Sequence, residues 1–177
     1  EIRQVLGDTY FALGFYDEAL THHAKALSLF EETQGPDHPK VAVAFVKVGD
    51  AFDAKGQDDK AIEHYRRAYA LFSKSQDSSQ GMLGRVREKI ANTLASKGDY
   101  VQALAEFEQA VSIFLEAHGP GNSFLGTPYV HIGLIYRATG EEDKAISYFE
   151  KAKVILFKNR GTEHYDVASL YVQFGLA

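Results

Sequence analysis

The chain contains no cysteine, so it has no disulfide framework and no thiolate to act as nucleophile or metal ligand. That absence is compatible with a reducing compartment. Positive charge is not in surplus: 19 Lys and Arg stand against 24 Asp and Glu, a net charge of −5, which argues against the basic face that a nucleic-acid site requires. No apolar run approaches the roughly 18 residues of a membrane span; Val154-Ile155-Leu156-Phe157 is among the longest. No secretory signal pattern is visible, and a chain that begins at Glu1 reads as a piece of a longer one.

Reactive constellations are lacking too. The seven histidines are His22, His23, His38, His64, His118, His131 and His164, and no two have a metal spacing on one helix face. No glycine-rich loop is followed by Lys and Ser or Thr, so no phosphate cradle is expected. Acid pairs such as Glu31-Glu32 and Glu141-Glu142 are neighbours in sequence and read as solvated faces. No nucleophile stands with a base. The expectation is therefore no enzyme, no metal and no cofactor.

What the sequence does hold is a period. Gly14, Gly56, Gly98 and Gly140 are spaced forty-two residues apart. In the same register stand Ala19, Ala61, Ala103 and Ala145, then Ala26, Ala68, Ala110 and Ala152, then Phe30, Phe72, Phe114 and Leu156. Gly7, Gly49, Gly133 and Gly175 share a further register, with Ala91 in the remaining slot. A fixed period of this size signals a solenoid of stacked supersecondary units. The apolar spacing inside each unit is helical, so the fold class is all-α, built from antiparallel helix pairs. The whole chain reads as a single domain, with repeats at about 1–36, 37–78, 79–120 and 121–162 and a truncated fifth, its first helix, at 163–177.

The local signals place the helices. Ile2, Val5, Leu6, Tyr10 and Leu13 mark a first helix ended by Gly14, and Asp17 is the expected cap of the second, whose inner face is Leu20, His23, Leu27 and Phe30. Gln34-Gly35-Pro36-Asp37-His38-Pro39 is a loop, with Pro39 in the first turn of the next helix. His23 shares its slot with Tyr65, Phe107 and Phe149 and reads as a packing residue. Pro128 lies a turn deeper in its unit than Pro39 does, so that helix is expected to start late, capped by Thr127, after a loop over 119–126. The alanines at Ala61 and its equivalents are expected to let the second helix approach the glycine register of the first. Both ends leave apolar faces open, so further repeats or self-association through the solenoid ends are expected.

These residues resemble the tetratricopeptide repeat family. The likeness is carried by Leu6-Gly7-Asp8-Thr9-Tyr10, Gly14-Phe15-Tyr16-Asp17-Glu18-Ala19 and Ala26-Leu27, and by their recurrences through Gly49, Phe52, Gly56, Ala61, Gly98, Ala103, Gly133, Tyr136, Gly140 and Ala145. The family's common unit is ~34 residues. The longer unit here, with Gln34-Gly35-Pro36-Asp37-His38-Pro39-Lys40-Val41-Ala42, looks like the kinesin light chain subgroup. The chain departs from that subgroup where the light chains carry an Asn-Asn pair: Gln4-Val5, Val46-Lys47, Glu88-Lys89 and Val130-His131 stand there instead.

The resemblance implies a right-handed superhelix whose first helices line a concave groove for a protein or peptide partner. One row along that groove is Gln4, Val46, Glu88, Val130 and Val172; a second is Asp8, Asp50, Asn92 and Leu134; a third is Phe11, Asp53, Ala95 and Arg137; a fourth is Glu1, Val43, Arg85, Thr127 and Ser169. The candidate groove residues are Asp8, Phe11, Val46, Asp50, Asp53, Arg85, Glu88, Lys89, Asn92, His131 and Arg137. The groove is expected to be divided, acidic at Asp8, Asp50 and Asp53 and basic at Arg85, Lys89, His131 and Arg137, which would steer a segment with separated charges. The expected function is a protein–protein interaction scaffold, a cargo or cytoskeletal adaptor like kinesin light chain, in the cytoplasm and associated with the cytoskeleton. The alternative is a structural spacer or self-associating segment of a larger scaffold or regulatory protein with no dedicated peptide site. Neither nucleic-acid binding nor membrane insertion is expected.

Overall fold

The computed structural model describes residues 2–74 and 80–160, the last three of these as backbone only. The helix expected from Glu163 lies outside the described residues. Eight α-helices follow one another among the described residues: α1 Ile2–Ala12, α2 Tyr16–Gln34, α3 Pro39–Ala54, α4 Asp58–Lys74, α5 Gln80–Ser96, α6 Tyr100–His118, α7 Gly126–Ala138 and α8 Glu142–Arg160. They pack in chain order, each against the next, as expected of a helical solenoid.

Glycine closes the turn inside each pair. At the end of α3, Gly56 takes φ +67°, while its N–H donates to Asp53 O (2.8 Å) and the next N–H, of Gln57, reaches back to Phe52 O (2.9 Å). These bonds satisfy carbonyls that the helix end leaves open, and a side chain would resist that φ. Between pairs, His38 caps α3: its Nδ1 accepts from Lys40 N–H at 3.2 Å, with Pro39 as the first helical residue.

The expected approach of alanine to the glycine register is corrected in one respect. What meets the glycine is a ring. A Cβ on Gly7 would overlap His23, one on Gly49 would overlap Tyr65 and one on Gly133 would overlap Phe149. Ala19, Ala61 and Ala145, the alanines of these three units, are fully buried. Tyr65 joins the continuous core that runs through Phe30, Val41, Phe45, Ile62, Phe72, Val86, Ile90 and Phe107.

Two other expectations are corrected. Asp17 does not cap α2; the helix starts at Tyr16 behind Phe15, and Asp17 sits in the first turn, where its carboxylate pairs with Lys55. Thr127 does not cap α7 either. A 3₁₀ turn, Ser123–Leu125, is inserted in the expected loop, and α7 continues from Gly126. Asn122 is the anchor: its Oδ1 accepts from Phe124 N–H (3.0 Å) while its Nδ2 donates to Phe114 O (3.1 Å) and to Gly119 O. Pro128 is tolerated because N–H groups of a helix's first turn have no partner within the helix. The apolar residues of the first unit stand open, as expected. Ile2 is 79% exposed, Val5 63% and Leu13 64%.

Candidate functional site

The first helices α1, α3, α5 and α7 stand side by side, and the repeat period places matching side chains at each junction. Between α1 and α3, Asp8 meets Lys47 at 2.8 Å, with the ring of His23 from α2 behind it at 3.7 Å. Between α3 and α5, one repeat on, Asp50 meets Lys89 at 2.8 Å and accepts a hydrogen bond from the Tyr65 hydroxyl of α4, also at 2.8 Å. A carboxylate from one first helix, an ammonium from the next and a ring from the intervening helix thus recur as a rung.

The third rung keeps the positions and loses the charge. Asn92 replaces the aspartates, Phe107 replaces the hydrogen-bonding ring, and His131 replaces the lysines. Phe107 is fully buried and stacks on His131, centroids 5.5 Å apart and planes 10° from parallel. Phe107 offers no donor, and the Asn92 Oδ1 is buried without a hydrogen-bond partner. Burial holds the His131 imidazole below its ordinary pKa, so the ring is neutral near pH 7.

A second set of pairs changes at the same place. Asp17 pairs with Lys55 and Asp59 with Lys97. The next equivalents are Val101, 82% exposed, and Thr139.

Two recesses flank Asn92, which lines both. One, of about 450 Å³, is bounded by Arg85, Glu88, Lys89, Ser123, Phe124 and Thr127. The other, of about 350 Å³, is bounded by Ala95, Ser96, Tyr100, His131, Leu134 and Ala138 and is the more apolar. The Arg85 guanidinium lies over the Phe124 ring, 5.0 Å from its centroid. Burial raises the Glu88 pKa, opposed by the nearby Lys89 and Arg85 charges. Another recess, of about 670 Å³, lies between α4 and α6, but four of its charges are already spent in the pairs Arg67–Glu63 and Lys97–Asp59.

The remaining candidates are scattered. Asp53 accepts from the Thr93 hydroxyl at 2.7 Å, joining α3 to α5. Phe11 packs near Tyr16, centroids 5.5 Å apart, Val46 is half-buried against the core, and Arg137 lies 5.8 Å over Phe149. The expected division into an acidic and a basic end is therefore corrected: Asp8 and Asp50 are each neutralised by a lysine of the following helix. Lys47 and Phe124 were missed by the sequence reading. Lys47 shares its register with Lys89 and could have been found from it; Phe124 lies in the insertion that breaks the register, and no period points to it.

Among the described residues no group of His, Asp and Glu could hold a metal ion, and no helix is long and apolar enough to cross a membrane.

The tetratricopeptide repeat family model matches residues 2–74 and 83–153, so the chain belongs to that family, a class whose members generally mediate protein–protein interaction. No curated protein matches the sequence. Among solved structures, the chain is similar to the apo form of RapI, at 19% identity and a TM-score of 0.84, covering 99% of this chain and 61% of that one. It is similar to a putative kinesin light chain repeat protein of Podospora anserina, at 21% identity and a TM-score of 0.75, covering 98% and 86%. It is also similar to the Rap conjugation gene regulator of plasmid pLS20, solved in complex with the Phr* peptide, at 19% identity and a TM-score of 0.74, covering 98% and 51%. At these identities the likeness establishes the fold. The chain spans less than two thirds of either Rap protein.

Proposed function

We propose that the chain is an interaction scaffold that holds an extended segment of a partner protein in its concave groove, against α5 and α7, with α1 and α3 as the charged flank. The observation that carries this reading is the uncharged third rung. Where the first two junctions pair an aspartate with a lysine, the third has no ion pair and leaves a buried acceptor, Asn92 Oδ1, between two open recesses. A buried acceptor without a donor costs ~1–3 kcal/mol. The backbone N–H of an extended segment is a donor of the right kind.

Of the groove candidates, Arg85, Glu88, Lys89, Asn92 and His131 line one or both recesses and are assigned the contact. Asp8, Asp50 and Asp53, held by Lys47, Lys89 and Thr93, are assigned to stiffening the flank. Phe11, Val46 and Arg137 would extend the contact. Support from relatives is indirect: one similar solenoid was solved with a peptide, and another is a putative kinesin light chain. A cytoplasmic adaptor of the light-chain type is the particular form this proposal takes.

A second reading has its own observation. Ile2, Val5, Leu13 and Phe15 leave an apolar face on the first pair, suited to self-association or to stacking in a longer scaffold. The two readings separate in one experiment. Ala95→Arg sets a long cation in the more apolar recess, at a residue half-buried against the core. Affinity capture from a cell extract with the parent and this variant, both checked for equal helicity, should lose a retained partner at least tenfold in the variant. Equal retention would remove the groove from consideration.

A further inference from the structure

We infer that the recess between α5 and α7 selects a lysine or arginine side chain of the bound segment, with Glu88 as its counter-ion and Asn92 as its second acceptor. This rests on the groove reading above and names the chemistry it selects. Glu88 and Asn92 are four residues apart on α5, so their side chains project from one face. Both line the same recess, together with Arg85 and Lys89. Among the described residues no hydrogen bond or ion pair reaches the Glu88 carboxylate, and the Asn92 Oδ1 has no donor.

The cations nearest Glu88 in sequence are already engaged. Lys89 is held by Asp50 at 2.8 Å, and Arg85 lies over Phe124. At the Glu88 register the other first helices carry Gln4, Val46 and Val130, so no neighbouring unit offers an equivalent charge. The recess therefore holds a half-buried carboxylate that makes no hydrogen bond or ion pair and a buried carbonyl oxygen without a donor, with the Arg85 and Lys89 charges on its wall. Lysine and arginine side chains are donor-only groups and are the complement of two acceptors. A carboxylate-bearing segment would instead meet Glu88 as a like charge, at a cost in affinity. The neighbouring recess at Ala95, Leu134 and Ala138 then takes an apolar side chain of the same segment.

The test uses the whole 177-residue chain and a random heptapeptide library displayed on phage. Parallel selections are run on the parent, Glu88→Gln and Ala95→Arg. The best parent-selected peptide is then synthesised with its basic residue intact or replaced by citrulline, and titrated by calorimetry. Glu88→Gln keeps the side-chain volume and removes an unpaired, half-buried charge, so its melting temperature should equal or exceed the parent's. The expected result is Lys or Arg enrichment at one peptide position on the parent and none on Glu88→Gln. The selected peptide should bind Glu88→Gln about tenfold more weakly, and the citrulline peptide should not distinguish the two proteins. Peptides that lose binding to Ala95→Arg yet ignore Glu88→Gln overturn this inference and leave the groove reading standing. Peptides indifferent to both variants, or no selected peptides at all, overturn both.

Discussion

Between α1 and α3 the shared register is closed by Asp8, His23 and Lys47; between α5 and α7, two repeats later, it holds Asn92, Phe107 and His131 and carries no charge. The backbone period is the same at both places. In the first junction the two charges find each other, and only the Nδ1 of the buried His23 is left without a partner. In the last, burial is preserved by stacking Phe107 on His131, while one acceptor is left over. In a repeat protein the units that keep the period report on stability, and a position that keeps the register while changing its chemistry is where a partner is to be sought.

The comparison can be broken most severely at the ring. Phe107→Ala deletes a fully buried aromatic side chain and should cost ~3–5 kcal/mol in urea denaturation. Because the cost is packing, it should not depend on salt.

A sharper change makes the third rung copy the second. The triple variant Asn92→Asp, Phe107→Tyr, His131→Lys supplies a carboxylate, a hydroxyl and an ammonium in the register of Asp50, Tyr65 and Lys89. Pairs as exposed as Asp8 with Lys47 contribute only ~0.2–1 kcal/mol, so stability should move by no more than about 1 kcal/mol. Binding of a peptide selected on the parent should fall at least tenfold, since its acceptor is now paired. Retained affinity would show that the neutral rung is not the site.

The smallest effect is in the first rung. Burial, outweighing Asp8, holds His23 below the ordinary imidazole pKa of 6.5. The unfolded chain then takes up a proton that the folded ring refuses as pH falls below 6.5. Stability is full above that value and declines toward the folded pKa, at ~1.4 kcal/mol for each unit of depression. His23→Tyr gives the first unit the ring that the second already fits against Gly49, so thermal melts between pH 7 and 5 should lose part of their acid slope. His131, depressed by the same cause, keeps the remainder. An unchanged slope would place the acid sensitivity elsewhere.

The fold was legible because it depends on spacing. Gly14 and its successors, the buried alanines and the ring at His23 and Tyr65 all follow from one count, and a count survives substitution of everything between. The cap of α3 was readable from His38 and Pro39 because capping is local. Thr127 misled because Pro128 signals a helix start only to within a turn, and nothing local announces the 3₁₀ turn that Asn122 anchors. The candidate site was half legible. Register alone aligned Asp8, Asp50 and Asn92, but whether a charge is free depends on what the next helix brings to it. Lys47 and Lys89 neutralise the aspartates from a full repeat away, a pairing that reading each helix by itself does not reveal.

The insertion at Ser123–Leu125 has a mechanical consequence. It leaves α7 meeting α6 more sparingly than α3 meets α2 or α5 meets α4. A linear array opens at its weakest interface, since each unit is held only by its neighbours. Among the described helices, the junction of α6 with α7 is therefore where local opening should cost least. A segment lying across α5 and α7 straddles that seam. It would act as a clasp, raising the cost of opening there by RT ln(1 + [L]/Kd).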